Sequence, residues 1–184
     1  MKKIKIIIIA IIASLTIQQN IANSTPVKAT GTIETAFSKP QDNQKSSKTL
    51  VLETIDDAES SIYMAAYYLS EKDLIQSLLK AKKRGVSIKV ILDRSQKNLE
   101  IPLILTSAEI ECKIDTKNSI MHHKFIIVDN DIGVNGSFNY TMNASFKNAE
   151  NTTKFTGSKY VVDSFSSEWK RLFLSGENCA KSIQ

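Results

Sequence analysis

The sequence predicts an α/β fold, a mixed β-sheet sandwiched by helices, and three observations carry that prediction. Buried-strand character alternates with helical periodicity from Thr30 to Asp93, giving strand–helix–strand–helix–strand. Short strand-like segments then follow between Ile110 and Asn135. A terminal stretch places Val162, Phe165, Trp169 and Leu172 on one helical face. Such alternation argues for a sheet of mixed direction covered by helices.

The elements follow in order. Thr30 to Ser38 reads as a first strand, ended by Pro40 and a polar loop. Val51, Ile55 and Ala58 recur at helical spacing, so a helix is expected over Ser47 to Ser60. "SIYMAAYY", from Ser61, reads as a buried strand. Ser70 and Asp73 fit a capping arrangement before a second helix whose apolar face is Leu74, Ile75, Leu78 and Leu79. Its end, "KAKKRG", reads as a helix C-terminus, with cations on the negative dipole end and Gly85 as a left-handed cap, in preference to a phosphate or membrane-surface patch. "VSIKVILD" is the next strand, and Asn98 to Ser107, with Pro102 inside it, supports only a short helix or a loop. Strands are expected over Ile110–Ile114, His122–Val128 and Ile132–Asn135, a short helix over Tyr140–Asn148, and a strand in "AENTTKFT". The terminal helix should run from Lys159 to Leu174, and there is no internal repeat.

The N-terminus, MKKIKIIIIAIIASLTIQQNIANS, puts three lysines ahead of an apolar run and small or polar residues after it, the order of a secretory signal peptide. The apolar run, Ile6 to Ile17, is twelve residues long, whereas a spanning helix needs about 20, so a leader is preferred to a membrane anchor. Residues 1–24 are therefore read as the leader and residues 25–184 as one catalytic domain, secreted to the periplasm or beyond. That segment keeps 21 of the 24 lysines and arginines and all 19 acids, a net +2, so a strongly basic nucleic-acid field is absent. Cys112 and Cys179 could form a disulfide in an oxidising compartment. Equally, the alternation of "EIECKID" would turn Cys112 into the core as a small apolar group.

Chemistry concentrates in "MHHKFIIVDNDIGVNGSFN", Met121 to Asn139, which holds both histidines of the chain. Side chains alternate on a strand, so His122 and Lys124 share one face while His123 looks to the other. A turn follows, and Ser137 and Asn139 come next, with Gly136 permitting close approach of a ligand to the backbone. An ammonium, a hydroxyl, an amide and an imidazole make a phosphate site with its own nucleophile or proton carrier. No carboxylate cluster of the kind magnesium or calcium needs lies nearby, so no cofactor and no metal are expected.

The stretch matches H-x-K-x4-D-x6-G-S-x-N at His122, Lys124, Asp129, Gly136, Ser137 and Asn139. It thereby resembles the HKD signature of the phospholipase D superfamily. "TAFS", "AKKRGVSIKVILD" and "NAEN" resemble its small one-motif bacterial members, secreted phospholipases D and related metal-independent endonucleases. The resemblance implies that His122 attacks phosphorus and forms a phosphohistidine. Lys124 and Asn139 would hold the non-bridging oxygens with help from Ser137, and Glu150 would hydrogen-bond the catalytic imidazole. Asp129 belongs to the signature but would support the fold. One motif offers one usable histidine, whereas the reaction needs a nucleophile and a proton donor, so a homodimer with a shared site across a two-fold axis is expected. The reading is a phospholipid head-group hydrolase releasing phosphatidic acid and an alcohol. A metal-independent endonuclease is the alternative, and a catalytically silent phosphate-binding module follows behind.

Overall fold

The computed structural model describes residues 30–41 and 44–179; the leader expected over residues 1–24 lies outside them. Eight strands form one sheet: β1 (Thr32–Phe37), β2 (Ser61–Ala66), β3 (Ser87–Asp93), β4 (Glu111–Asp115), β5 (Lys124–Val128), β6 (Ile132–Gly136), β7 (Asn151–Thr156) and β8 (Glu177–Asn178). Their spatial order is β1-β7-β6-β5-β2-β3-β4-β8. β2, β3 and β4 run parallel, whereas β5 lies antiparallel to β2 and begins an antiparallel run through β6, β7 and β1. The sheet is thus mixed, as expected, and it changes direction at β2.

Helices cover both faces. α1 (Ser47–Asp56), α2 (Lys72–Lys83) and α3 (Glu100–Ser107) lie on one side, where Val51, Leu74, Leu78 and Leu105 pack with Met64, Val90 and Ile126. α5 (Lys159–Ser175) lies on the other, where Val162, Trp169 and Leu172 pack with Ile91, Phe125 and Phe155. Trp169 stacks between Tyr63 and Phe173 at 4.7 and 4.5 Å and donates its indole N–H to the Met64 carbonyl, which satisfies its one polar atom in the core. A short α4 (Met142–Phe146) follows the motif.

Several boundaries differ from expectation for local reasons. α1 stops at Asp56, because Asp56 and Asp57 oppose the negative end of the helix; the Arg84 guanidinium then takes the Ile55 and Ala58 carbonyls at 3.2 and 3.1 Å. Ser70 does not cap α2. The N-cap is Glu71, whose buried carboxylate turns instead to Lys48 and Ser145, while the Ser70 amide goes to the Tyr140 carbonyl. Asn98 to Ser107 resolves into α3, with Pro102 at its third residue, where a missing N–H costs no helical hydrogen bond. α4 occupies only the centre of the expected 140–148 segment. Gly85 adopts φ +94° after α2, the left-handed stop that the sequence suggests. Both cysteine readings contain part of the answer: Cys112 is buried in β4 and is bonded to Cys179, with 5.3 Å between Cα atoms.

Candidate active site

The site forms where β2 ends, β5 begins and the chain leaves β6. Lys124 opens β5 opposite Ala66, the last residue of β2. His122 and His123 precede the strand instead of lying inside it, but the Tyr67 amide donates to the His123 carbonyl at 2.8 Å and extends the pairing past the strand's end. The link into β5 is tied down twice. Asp93 accepts the Met121 amide at 2.7 Å, and Asp115 accepts both the backbone and side-chain nitrogens of Asn118.

The two side chains turn to different neighbours, but both histidines line the same groove, which strand alternation did not predict. Lys124 alternates with Ile126 and Val128 along β5, and the His122 ring meets the same Tyr67 ring as the Lys124 ammonium. His123 turns towards α5, where Nε2 lies 3.3 Å from Glu168 and the ring packs on Phe125. His123 still borders the groove on its α5 side. The groove, of about 610 Å³, brings together His122, Lys124, Asn135, Ser137, Asn139 and Glu150.

Lys124 is only 7% exposed. Burial lowers the pKa of its amine, and the negative charge of Glu150 opposes that shift. The ammonium donates to the His122 carbonyl at 2.7 Å and sits 4.9 Å from the centre of the Tyr67 ring, a cation–π distance. The His122 ring lies 4.5 Å from the same ring. Tyr67 therefore supports both residues, although motif reasoning did not single it out for this. Its carbonyl is held by the fully buried Gln96, which also bonds the Leu69 amide and the Ala66 carbonyl. Neither Tyr67 nor Gln96 belongs to the H-x-K pattern, and only spatial contact reveals them.

Gly136 ends β6 where a Cβ would overlap the Asn151 carbonyl of β7, so the glycine serves strand packing here. The next residue, Ser137, donates its hydroxyl to Glu150 Oε2 at 2.5 Å and accepts the Asn151 amide at 3.1 Å. Glu150 Oε1 takes the Asn148 side-chain nitrogen at 2.8 Å. Among the described residues no hydrogen bond joins Glu150 to an imidazole; its two carboxylate oxygens accept from Ser137 and Asn148. Ser38, just after β1, fastens the Glu150 backbone through a hydroxyl that accepts its amide at 2.9 Å. "TAFS" contained that serine, but nothing in its local pattern marked the role. Asn139 Oδ1 is buried and has no protein partner.

Asp129 lies at the far end of β5 with φ 53°. Its carboxylate accepts the amides of Glu59, Ser60 and Ser61 and the Ser60 hydroxyl, all within 2.8–2.9 Å. Burial pushes its pKa up, but these four donors outweigh it and hold the group below the ordinary aspartate value. Among the described residues, no cluster of three or more His, Cys, Asp or Glu side chains is arranged for a metal ion.

Fold and motif together define a one-motif phospholipase D domain, and the chain belongs to the phospholipase D superfamily. Residues 51–173 match the family described as "Cardiolipin synthase, PLD-like domain". The chain is 34% identical over 139 residues to a phospholipase D of Rickettsia prowazekii, covering 74% of this chain and 65% of that protein. It is 30% identical over 118 residues to the mitochondrial cardiolipin hydrolase of Xenopus tropicalis, covering 63% of this chain and 56% of that one. Among solved structures, Nuc from Salmonella typhimurium, a phospholipase D family member, superposes with a TM-score of 0.74 at 31% identity, covering 80% of this chain and 97% of Nuc. NucT from Helicobacter pylori shares the fold with a TM-score of 0.66 at 18% identity, covering 80% of this chain and 99% of NucT.

Proposed function

We propose that the protein is a secreted phospholipase D that hydrolyses the head-group phosphodiester of a phospholipid through a phosphohistidine. The convergence of His122, Lys124, Ser137 and Asn139 on one groove carries the reading. Its relatives named phospholipase D favour lipid as substrate.

In the first step an imidazole nitrogen of His122 attacks phosphorus. The N–P bond forms as the P–O bond to the head-group alcohol breaks. Lys124 and Asn139 hold the non-bridging oxygens, and the ammonium offsets the charge that develops on them. The leaving alkoxide takes a proton from His122 of the partner subunit. That imidazole next removes a proton from water, the water oxygen attacks phosphorus, the N–P bond breaks, and phosphatidic acid departs. The exposure of His122 at the groove's rim suits a site completed across a two-fold axis. No step requires a metal.

One preparation assayed in chelator on phosphatidylcholine or phosphatidylglycerol vesicles and on plasmid DNA tests the substrate. Lipid cleavage supports the reading; DNA cleavage alone transfers the same chemistry to an endonuclease. Mixing His122→Asn subunits with wild type tests the shared site: activity should fall as heterodimers form, and activity that tracks only the wild-type concentration would refute it. Activity abolished by chelator would refute the metal-free route.

A further inference from the structure

A second groove adjoins the catalytic one and shares Asn139 with it. Beyond Asn139 it is lined by Tyr68, Ser70, Thr141, Met142, Asn143 and Asn148. We propose that this groove receives the leaving alcohol and selects an uncharged, hydroxyl-bearing head group. The inference rests on the phospholipid reading above and assigns the part of the substrate that leaves.

The lining offers hydroxyls and carboxamides, and no lysine, arginine, aspartate or glutamate contributes to it. A trimethylammonium group is held by an aromatic cage or a carboxylate, and here there is a single ring, Tyr68, standing edge-on to Tyr67 at 87°. A primary ammonium leaving water would need a carboxylate partner. Glu150, in the adjoining groove, already accepts hydrogen bonds from Ser137 and Asn148, and Glu71, next to Ser70, is paired with Lys48 and bonded by Ser145. An anionic head group, or the next phosphate of a nucleic acid, would need a cation that the groove lacks. A polyol meets none of these penalties, because each hydroxyl both donates and accepts.

Two further observations point the same way. Asn139 lines both grooves and so stands between the phosphate and whatever leaves it. Asn148 spends its side-chain N–H on Glu150 and keeps its oxygen as an acceptor. The two walls are also fastened together. The Tyr140 carbonyl accepts the Ser70 and Glu71 amides at 2.8 and 2.9 Å, and the Tyr140 amide returns to the Tyr68 carbonyl at 3.0 Å. A pocket already held in shape loses little entropy on binding.

The test uses the full chain and short-chain, monomerically soluble phospholipids with identical acyl groups, so that vesicle surface charge plays no part. Head-group release is measured for phosphatidylglycerol, phosphatidylcholine, phosphatidylethanolamine and phosphatidylserine. Phosphatidylglycerol should lead in kcat/KM by about tenfold, the effect of one or two satisfied hydrogen bonds. Asn143→Asp, on the exposed face of α4, adds a carboxylate to the groove. It should raise the ethanolamine-to-glycerol ratio by about tenfold, and Ser70→Asp on the opposite wall should move the ratio the same way. Equal or better turnover of choline or ethanolamine lipids, or a ratio that neither variant moves, overturns the assignment while leaving the phospholipase reading standing. No cleavage of any lipid beside cleavage of DNA overturns the phospholipase reading itself, and this inference with it.

Discussion

Replacing Asp129 by alanine separates support of the fold from chemistry within the signature motif. The substitution removes the acceptor of four hydrogen bonds at the turn entering β2. The Ser61 amide belongs to a buried residue and loses its partner outright, at a cost of about 1–3 kcal/mol. Glu59 and Ser60 are exposed and their amides can turn to water. Position 129 also sits at φ 53°, where alanine is disfavoured by roughly 1–2 kcal/mol. The expected loss is about 3 kcal/mol, or a melting point lower by roughly 6–12 °C for a domain of this size. Asp129 stands five residues along β5 from Lys124, roughly 16 Å away, so turnover per folded molecule should stay within about twofold of wild type. Melting followed by the fluorescence of Trp169, the single tryptophan, beside kcat at 25 °C decides the matter. An unchanged melt with kcat down more than tenfold would refute the reasoning and move the carboxylate into the reaction. The pH dependence has a fixed sign: because the folded protein holds this carboxyl below its ordinary value, its stabilisation is present above that value and is lost as pH falls through the lowered one. Asp129→Ala should therefore flatten the acid side of the stability profile.

Three further outcomes follow from the site and its frame. Burial lowers the Lys124 pKa against the opposing charge of Glu150, so Glu150→Gln should shift the alkaline limb of kcat/KM to lower pH; a shift to higher pH would contradict the assignment. Gly136→Ala forces a methyl group against the Asn151 carbonyl, and the displaced Ser137 should cost about tenfold or more in kcat together with about 1–3 kcal/mol of stability. The disulfide closes a separation of 67 residues, so reduction should lower stability by about 4 kcal/mol and the melting point by roughly 10 °C. Activity at 25 °C should persist, because neither cysteine lines the catalytic groove.

The parts of the molecule legible in its sequence are those specified by short-range order. The apolar spacing of Leu74, Ile75 and Leu78 placed α2, and Gly85 marked its end. The fixed intervals of the motif were enough to find His122, Lys124, Ser137 and Asn139, because one strand and one turn bring them together. What stayed hidden depends on contacts between distant segments. Ser38 reaches Glu150 across 112 residues, and Gln96 reaches Leu69 and Tyr67 from the turn after β3. Ser70 looked like a cap because capping patterns are local; the competing bond to Tyr140 is not. Two residues are too few for β8 to show any alternation, and its pairing with β4 is set by Cys179 beside it.

That last small strand has a bearing on solubility. A sheet ending in a long bare strand offers a row of free amides and carbonyls to any neighbouring chain. Here β8 covers Lys113 and Ile114, two of the five residues of β4, and so shortens the bare stretch at that margin. Once Cys112 and Cys179 are parted and the tail peels away, β4 becomes the outermost strand, a ready template for self-association. A cell that makes this chain under reducing conditions should therefore recover less of it in solution, while the dissolved fraction keeps its activity.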